Sequence, residues 1–181
     1  MDITLNQLRN VGVSILIGTN GSGKTYALQR MNREFAVNSI FLGADMPRQA
    51  LTGHLKMWLK KCAEIDDALV AELLNARGWA VDADGKPWSI IQPSYCSAGQ
   101  LRMLWMFLSV AVGCSENGIV LIDEAEQSLH VGWQRRLVWD LERLAKRRNV
   151  RVILSTHAPA VIDDAWEWVV SLDEDTRGAK L

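Results

Sequence analysis

The chain has 181 residues, enough for one domain with a substantial core, and its 49% apolar share excludes a disordered chain. The net charge of −1 provides no global basic footprint for nucleic acid, and the most apolar run, residues 103–112, is too short to cross a bilayer, which needs about 20 residues. Cys62, Cys96 and Cys114 have neither paired nor metal-ligand spacing and read as free thiols of a cytoplasmic protein, and the N-terminus does not read as a secretory leader.

In chain order, Ile3, Leu5 and Leu8 alternate weakly, as in an edge strand. The apolar run 13–17 predicts a buried parallel strand. After a glycine-rich stretch, residues 26–35 have helical spacing, with Ala27, Leu28, Met31 and Phe35 on the inner face. Residues 40–43 read as a second short buried strand. From about residue 49 the pattern turns helical, over 51–62 and 65–77, with Gly78 as a C-cap. Residues 82–87 (D-A-D-G-K-P) are a turn signal between 79–81 and 88–91, which predicts a small hairpin. The block 49–92 thus reads as a helical, lid-like insertion within a single domain, 1–181. Residues 93–100 form a loop, and 101–112 a helix apolar almost all round, hence buried. Residues 119–122 are a third buried strand, and 133–148 a helix with Trp133, Leu137, Leu141 and Leu144 inward. Lys146, Arg147 and Arg148 in its last turn complement the helix dipole. Residues 152–154 are a fourth strand and 168–172 a last one. Strands alternating with helices predict a mostly parallel sheet flanked by helices, an α/β fold.

The chemistry concentrates at three places. Residues 18–25 read G-T-N-G-S-G-K-T, a phosphate-binding loop between a strand and a helix. Gly18, Gly21 and Gly23 let the backbone curl with its N–H groups inward, and the following helix adds its N-terminal positive end. Lys24 reaches phosphate oxygens as a point charge, and the Thr25 hydroxyl suits Mg²⁺. With Thr19, Asn20, Ser22 and Tyr26 these residues make up the nucleotide-binding stretch. The third strand delivers Asp123 and Glu124 to its C-terminal end, where α/β sheets place ligands. Asp123 suits the Mg²⁺ shell, and Glu124 a water attacking the γ-phosphate. His157 ends the next strand and can contact both that phosphate and that water.

The order G-T-N-G-S-G-K-T, S-A-G-Q, I-V-L-I-D-E, S-T-H resembles an ABC-type ATPase domain of the P-loop NTPase class. Asn20 and the run Ser97, Ala98, Gly99, Gln100 ahead of an apolar helix carry the resemblance most specifically. Within that class, residues 123–134 and the S-T-H-A-P of residues 155–159 are similar to the OLD-family and RecF/SMC-like ATPases. The resemblance implies that 93–112 is the signature loop and helix. It also implies that Ser97 and Gly99 bind the γ-phosphate of ATP held by a second subunit, in a head-to-tail dimer or higher oligomer. Ala125 stands where those relatives have proline, and Cys96 precedes a signature with one glycine where two are usual. Arg48 and Gln49 both remain open for the glutamine-loop role.

The leading expectation is an ATPase that uses ATP and Mg²⁺ in a dimer to control a separate effector protein, nuclease or toxin-like by analogy. The alternative is the nucleotide-binding subunit of a membrane transporter, against which Ser128-Leu129-His130 speaks. A non-hydrolysing scaffold is disfavoured because Lys24, Asp123, Glu124 and His157 are all present.

Overall fold

The structure, a computed structural model, describes residues 7–173. Its centre is a five-stranded, wholly parallel sheet in the order β2-β3-β4-β1-β5. The strands are β1 (Gly12–Ile17), β2 (Ser39–Leu42), β3 (Ile119–Ile122), β4 (Arg151–Ser155) and β5 (Val169–Ser171). β1, β3 and β4 are apolar on both faces because both are covered, which is the burial that a parallel sheet requires. Helix α1 (Lys24–Glu34) covers one face, where Leu28 and Met31 meet Leu16, Leu121 and Ile153. The other face carries Val13, Ile15, Val120, Ile122, Val152 and Leu154 and packs against the remaining long helices.

Those helices are α2 (Arg48–Ile65), α3 (Ala68–Asn75), α4 (Ala98–Leu108) and α5 (Val131–Arg148), followed by the short α6 (Pro159–Ile162). α4 is buried all round, because it lies between α2, α5 and the sheet and passes into a π-helical turn, Ser109–Gly113. Its neighbours contribute Leu55, Trp58, Leu73, Leu137 and Leu141 to the same core, so residues 49–92 share one hydrophobic interior with the sheet. Trp58 and Trp105 meet edge to face at 5.4 Å in that interior. All three cysteines are buried and free, and burial beside Asp67 pushes the Cys62 thiol up to about 12, which keeps it protonated.

Three sequence expectations change. The junction between the helices expected over 51–62 and 65–77 moves: α2 runs on to Ile65, Asp66 turns left-handed (φ 46°), and Asp67 caps α3 by accepting from Val70 N at 3.1 Å. Asp67 also accepts from Arg147 at 2.7 Å, and Lys146 pairs with Glu142, so two of the three cations ending α5 are spent within the fold. The hairpin expected across 82–87 does not form a ladder. Asp82 accepts from Asp84 N, Lys86 N and Ser89 Oγ, and Ile90 N and Ile91 N turn back to Pro87 O, so that segment satisfies its backbone locally. Of the N-terminal edge strand, Ile3 and Leu5 lie outside the described residues, and Leu8 is buried outside any strand.

Candidate nucleotide site

β1 runs out at Ile17 into a loop that opens α1 at Lys24. Gly21 and Gly23 have φ of 83° and 93°, and an added Cβ would meet nothing within 4 Å at either, so it is the dihedral and not crowding that calls for glycine. Lys24 is buried, and its Nζ donates to Gly18 O at 2.7 Å, Thr19 O at 3.0 Å and Ser22 Oγ at 3.4 Å, which holds the ammonium inside the curl of the loop. Asp173, just beyond β5, accepts from Thr19 N and Thr19 Oγ1, both at 2.9 Å. These bonds, with Lys24 nearby, hold the Asp173 carboxyl below its ordinary value.

Sheet register assembles the acidic side of the site. Ile122 pairs with Leu154, so the residues that follow, Asp123 and Ser155, leave adjacent strands side by side, with the phosphate loop next along the same edge. Ser155 Oγ donates to Asp123 Oδ1 at 2.6 Å and accepts from Glu124 N at 2.9 Å. Glu124 is left-handed (φ 49°), a conformation costly for a residue with a Cβ and tolerated where neighbours enforce it. Arg102 of α4 provides part of that enforcement. Its guanidinium is buried and donates to the carbonyls of Gly43, Asp123 and Glu124. Burial lowers the Arg102 pKa while Asp123, Glu124 and Glu126 raise it, and an arginine remains charged at neutral pH. A fixed positive charge therefore lies behind three carboxylates.

Asn20, Gly21, Gly23, Lys24, Thr25, Tyr26, Gln29, Glu124 and His157 line one cavity of about 450 Å³. Three segments far apart in sequence thus meet around one space. Gly18, Thr19 and Ser22 belong to the loop that frames it, and Asp123 is buried at the foot of Glu124. Thr25 and Tyr26 are exposed at the mouth. Gln29, three residues beyond Tyr26 on α1, joins the cavity without having been anticipated from sequence. Asp123 Oδ2 has no hydrogen-bond partner among the described residues, whereas Oδ1 is taken by Ser155. One carboxylate oxygen and the Thr25 hydroxyl suit a hard divalent cation that draws its other ligands from phosphate and water. No cluster of three metal-ligating side chains occurs among the described residues. A larger depression of about 780 Å³ lies between α2 and the 82–93 loop, but two of its charged groups, Lys86 and Asp66, pair with each other.

The run 97–100 is held elsewhere. Ser97 caps α4, accepting from Gln100 N at 3.2 Å, while Gln100 Oε1 accepts from Ser97 N at 2.8 Å. The Ser97 hydroxyl spends only a lone pair there and keeps its O–H to donate. Ala98 is exposed beside it. Gly99 is buried, and a Cβ on it would lie 2.3 Å from Ser128 O, so glycine lets α4 approach the turn after β3. None of residues 97–100 lines the phosphate-loop cavity of the same chain. Of the two glutamine-loop candidates, Gln49 is exposed, and Arg48 donates to Ser94 O at 2.9 Å and Cys96 O at 2.7 Å, tying the start of α2 to the loop before the signature. His130 is the N-cap of α5, its Nδ1 accepting from Gly132 N.

Sequence reading did not anticipate Ser155, Glu126, Arg102 or Asp173. Ser155 and Glu126 stood inside recognised motifs. Arg102 carried a signal of its own, a lone arginine in a helix otherwise apolar enough to be buried.

The family model described as "AAA domain, putative AbiEii toxin, Type IV TA system" matches residues 64–163. Two curated relatives share shorter segments. "Retron Ec83 probable ATPase" of Escherichia coli is 36% identical over 66 residues, 35% of this chain and 12% of that protein. "Retron Vc95 probable ATPase" of Vibrio cholerae is 49% identical over 45 residues, 25% of this chain and 8% of that protein. The matched segments are therefore a small part of the length of both relatives. A solved Pyrococcus furiosus protein titled "Putative ABC transporter (ATP-binding protein)" superposes with a TM-score of 0.57 at 17% identity, covering 91% of this chain and 86% of that one. The two share the P-loop NTPase fold, a parallel sheet flanked by helices.

Proposed function

This chain belongs to the AAA-domain family of the type IV toxin–antitoxin description, and from that membership we propose that it binds ATP with Mg²⁺ and hydrolyses it, in a head-to-tail dimer that controls a separate effector protein in the cytoplasm. The observation that carries the proposal is the single cavity whose wall holds Lys24, Thr25, Glu124 and His157 together. In this reading the backbone N–H groups of the loop and the start of α1 cradle the phosphates, and Lys24 adds a charge on the terminal ones. Glu124 orients a water for in-line attack and takes its proton. His157, across the cavity, donates a hydrogen bond to the γ-phosphate. Thr25 and Asp123 hold Mg²⁺, which supplies charge neutralisation when bound. The barrier is lowered by positioning and electrostatics, which are what phosphoryl transfer asks of a protein.

The dimer is supported by the separation of the signature from its own phosphate loop. Ser97, with a free O–H at a helix N-terminus, suits a phosphate presented by a second subunit. The effector is supported by the family's toxin–antitoxin description and by the retron naming of the relatives. The cytoplasm is supported by three buried free thiols, and no helix among the described residues is long and apolar enough to cross a membrane.

Phosphate release from Mg-ATP tests the catalytic part. Wild type turns over, Lys24→Ala loses ATP binding, and Glu124→Gln binds ATP but slows turnover by about a hundredfold or more, the range for a lost general base. Equal rates for Glu124→Gln and wild type would remove the role given to Glu124.

A further inference from the structure

We infer that Glu126 is a positioning residue for His157. Its carboxylate clamps the turn after β4 to the turn after β3, and so sets the imidazole on the same cavity as Glu124. The inference rests on the proposed hydrolytic role of His157.

The β3–β4 pairing does not stop where the strands stop. Beyond the last ladder pair, Ile122 with Leu154, side chains continue it. Glu124 N donates to Ser155 Oγ, and Ala125 N to Ser155 O at 2.9 Å. Glu126 then spends both oxygens on the facing turn: Oε2 accepts from Thr156 Oγ1 at 2.7 Å, and Oε1 from His157 N at 2.8 Å. Thr156 Oγ1 in turn accepts from Ala158 N at 3.1 Å. The carboxylate therefore holds the His157 backbone directly and, through the Thr156 hydroxyl, the Ala158 N–H beyond it, one residue either side of the imidazole-bearing position. Bonds to a carboxylate are stronger than neutral ones, and here they hold a turn that runs from the buried Thr156 to the exposed His157. Arg102, on the other side, pins the carbonyls of Asp123 and Glu124, so the two catalytic turns are registered to each other and to α4.

Glutamine at 126 keeps the shape but replaces one acceptor oxygen with an NH₂ facing a donor. Glu126→Gln is expected to lower kcat about tenfold, as for a change of about one lost charged hydrogen bond in the transition state, with KM for ATP within about twofold of wild type. In a His157→Ala background the same change is expected to alter kcat by less than about twofold, because its effect runs through the missing imidazole. An equal fractional loss in both backgrounds would overturn the inference and leave Glu126 a role in folding alone. Amide hydrogen exchange at His157 provides a readout independent of turnover. Exchange accelerates in Glu126→Gln, and to a smaller extent in Thr156→Val, which removes only the hydroxyl bond; unchanged exchange in both would also overturn the inference. If wild type releases no phosphate, the hydrolytic reading fails, and the exchange result alone decides whether the clamp exists.

Discussion

Glu142 shows what a single buried carboxylate does in this fold. It sits on α5 beneath the start of β1, only 6% exposed, and accepts from Arg9 Nη1 and Nη2 at 2.8 Å, Val13 N at 2.7 Å and Lys146 Nζ at 3.1 Å. Burial pushes its pKa up, but the Arg9 guanidinium, the Val13 N–H and Lys146 outweigh that and hold it below the ordinary 4.5. A carboxyl depressed in the folded state binds fewer protons there than in the unfolded chain. Its stabilisation is therefore complete above the ordinary value and lost as pH falls through the lower folded one. Urea unfolding followed from pH 7 downward should show Glu142→Gln less stable than wild type at neutral pH, with the gap closing below about pH 4.5. A gap independent of pH would mean that Glu142 acts through packing. For Arg102, Glu126 and Glu142 the residue type is visible in the sequence while the pairing is not, because Arg102 meets Asp123, Glu126 meets Thr156 and Glu142 meets Val13 only through the fold.

At the scale of elements, the sheet was legible because parallel strands covered on both faces must be continuously apolar, and residues 13–17, 119–122 and 152–154 are. Two helices in the 49–77 stretch were legible too, but not the position of their junction, which is set by the cap of Asp67 on Val70 and its pair with Arg147 and falls at Asp66 and Asp67. A second buried pair ties the turn after α3 to α5. Arg77 and Asp140, side chains 3% and 4% exposed, bind each other while the guanidinium stacks 4.8 Å from the centre of Phe107. Removing one partner strands a charge in the core. Asp140→Ala should cost about 3–5 kcal/mol in urea unfolding, whereas Arg77→Met with Asp140→Leu should recover most of that loss. If the double variant is as unstable as the single one, the pair contributes by its specific geometry and not by mutual neutralisation.

At the scale of the molecule, Lys24, Thr25, Asp123, Glu124 and His157 follow the C-terminal ends of β1, β3 and β4, three adjacent strands, and the signature opens α4 outside that cavity. The same α4 reaches back through Arg102 to the carbonyls of Asp123 and Glu124. A phosphate seated at Ser97 by a second subunit would thus bear on a helix already bonded to the catalytic turn of its own subunit, a physical route from dimer contact to hydrolysis. The phosphate loop, the acidic pair and His157 could be placed from sequence because each ends a recognisable strand. The separation of the signature from them was implied only by the family resemblance, since physically it depends on how α2, α4 and α5 pack. The most direct measurement is the solution mass of Glu124→Gln by light scattering, with and without Mg-ATP. Doubling of the mass on adding ATP, reversed by Ser97→Arg, is the predicted result. A mass that ATP leaves unchanged would contradict an ATP-closed dimer joined through Ser97.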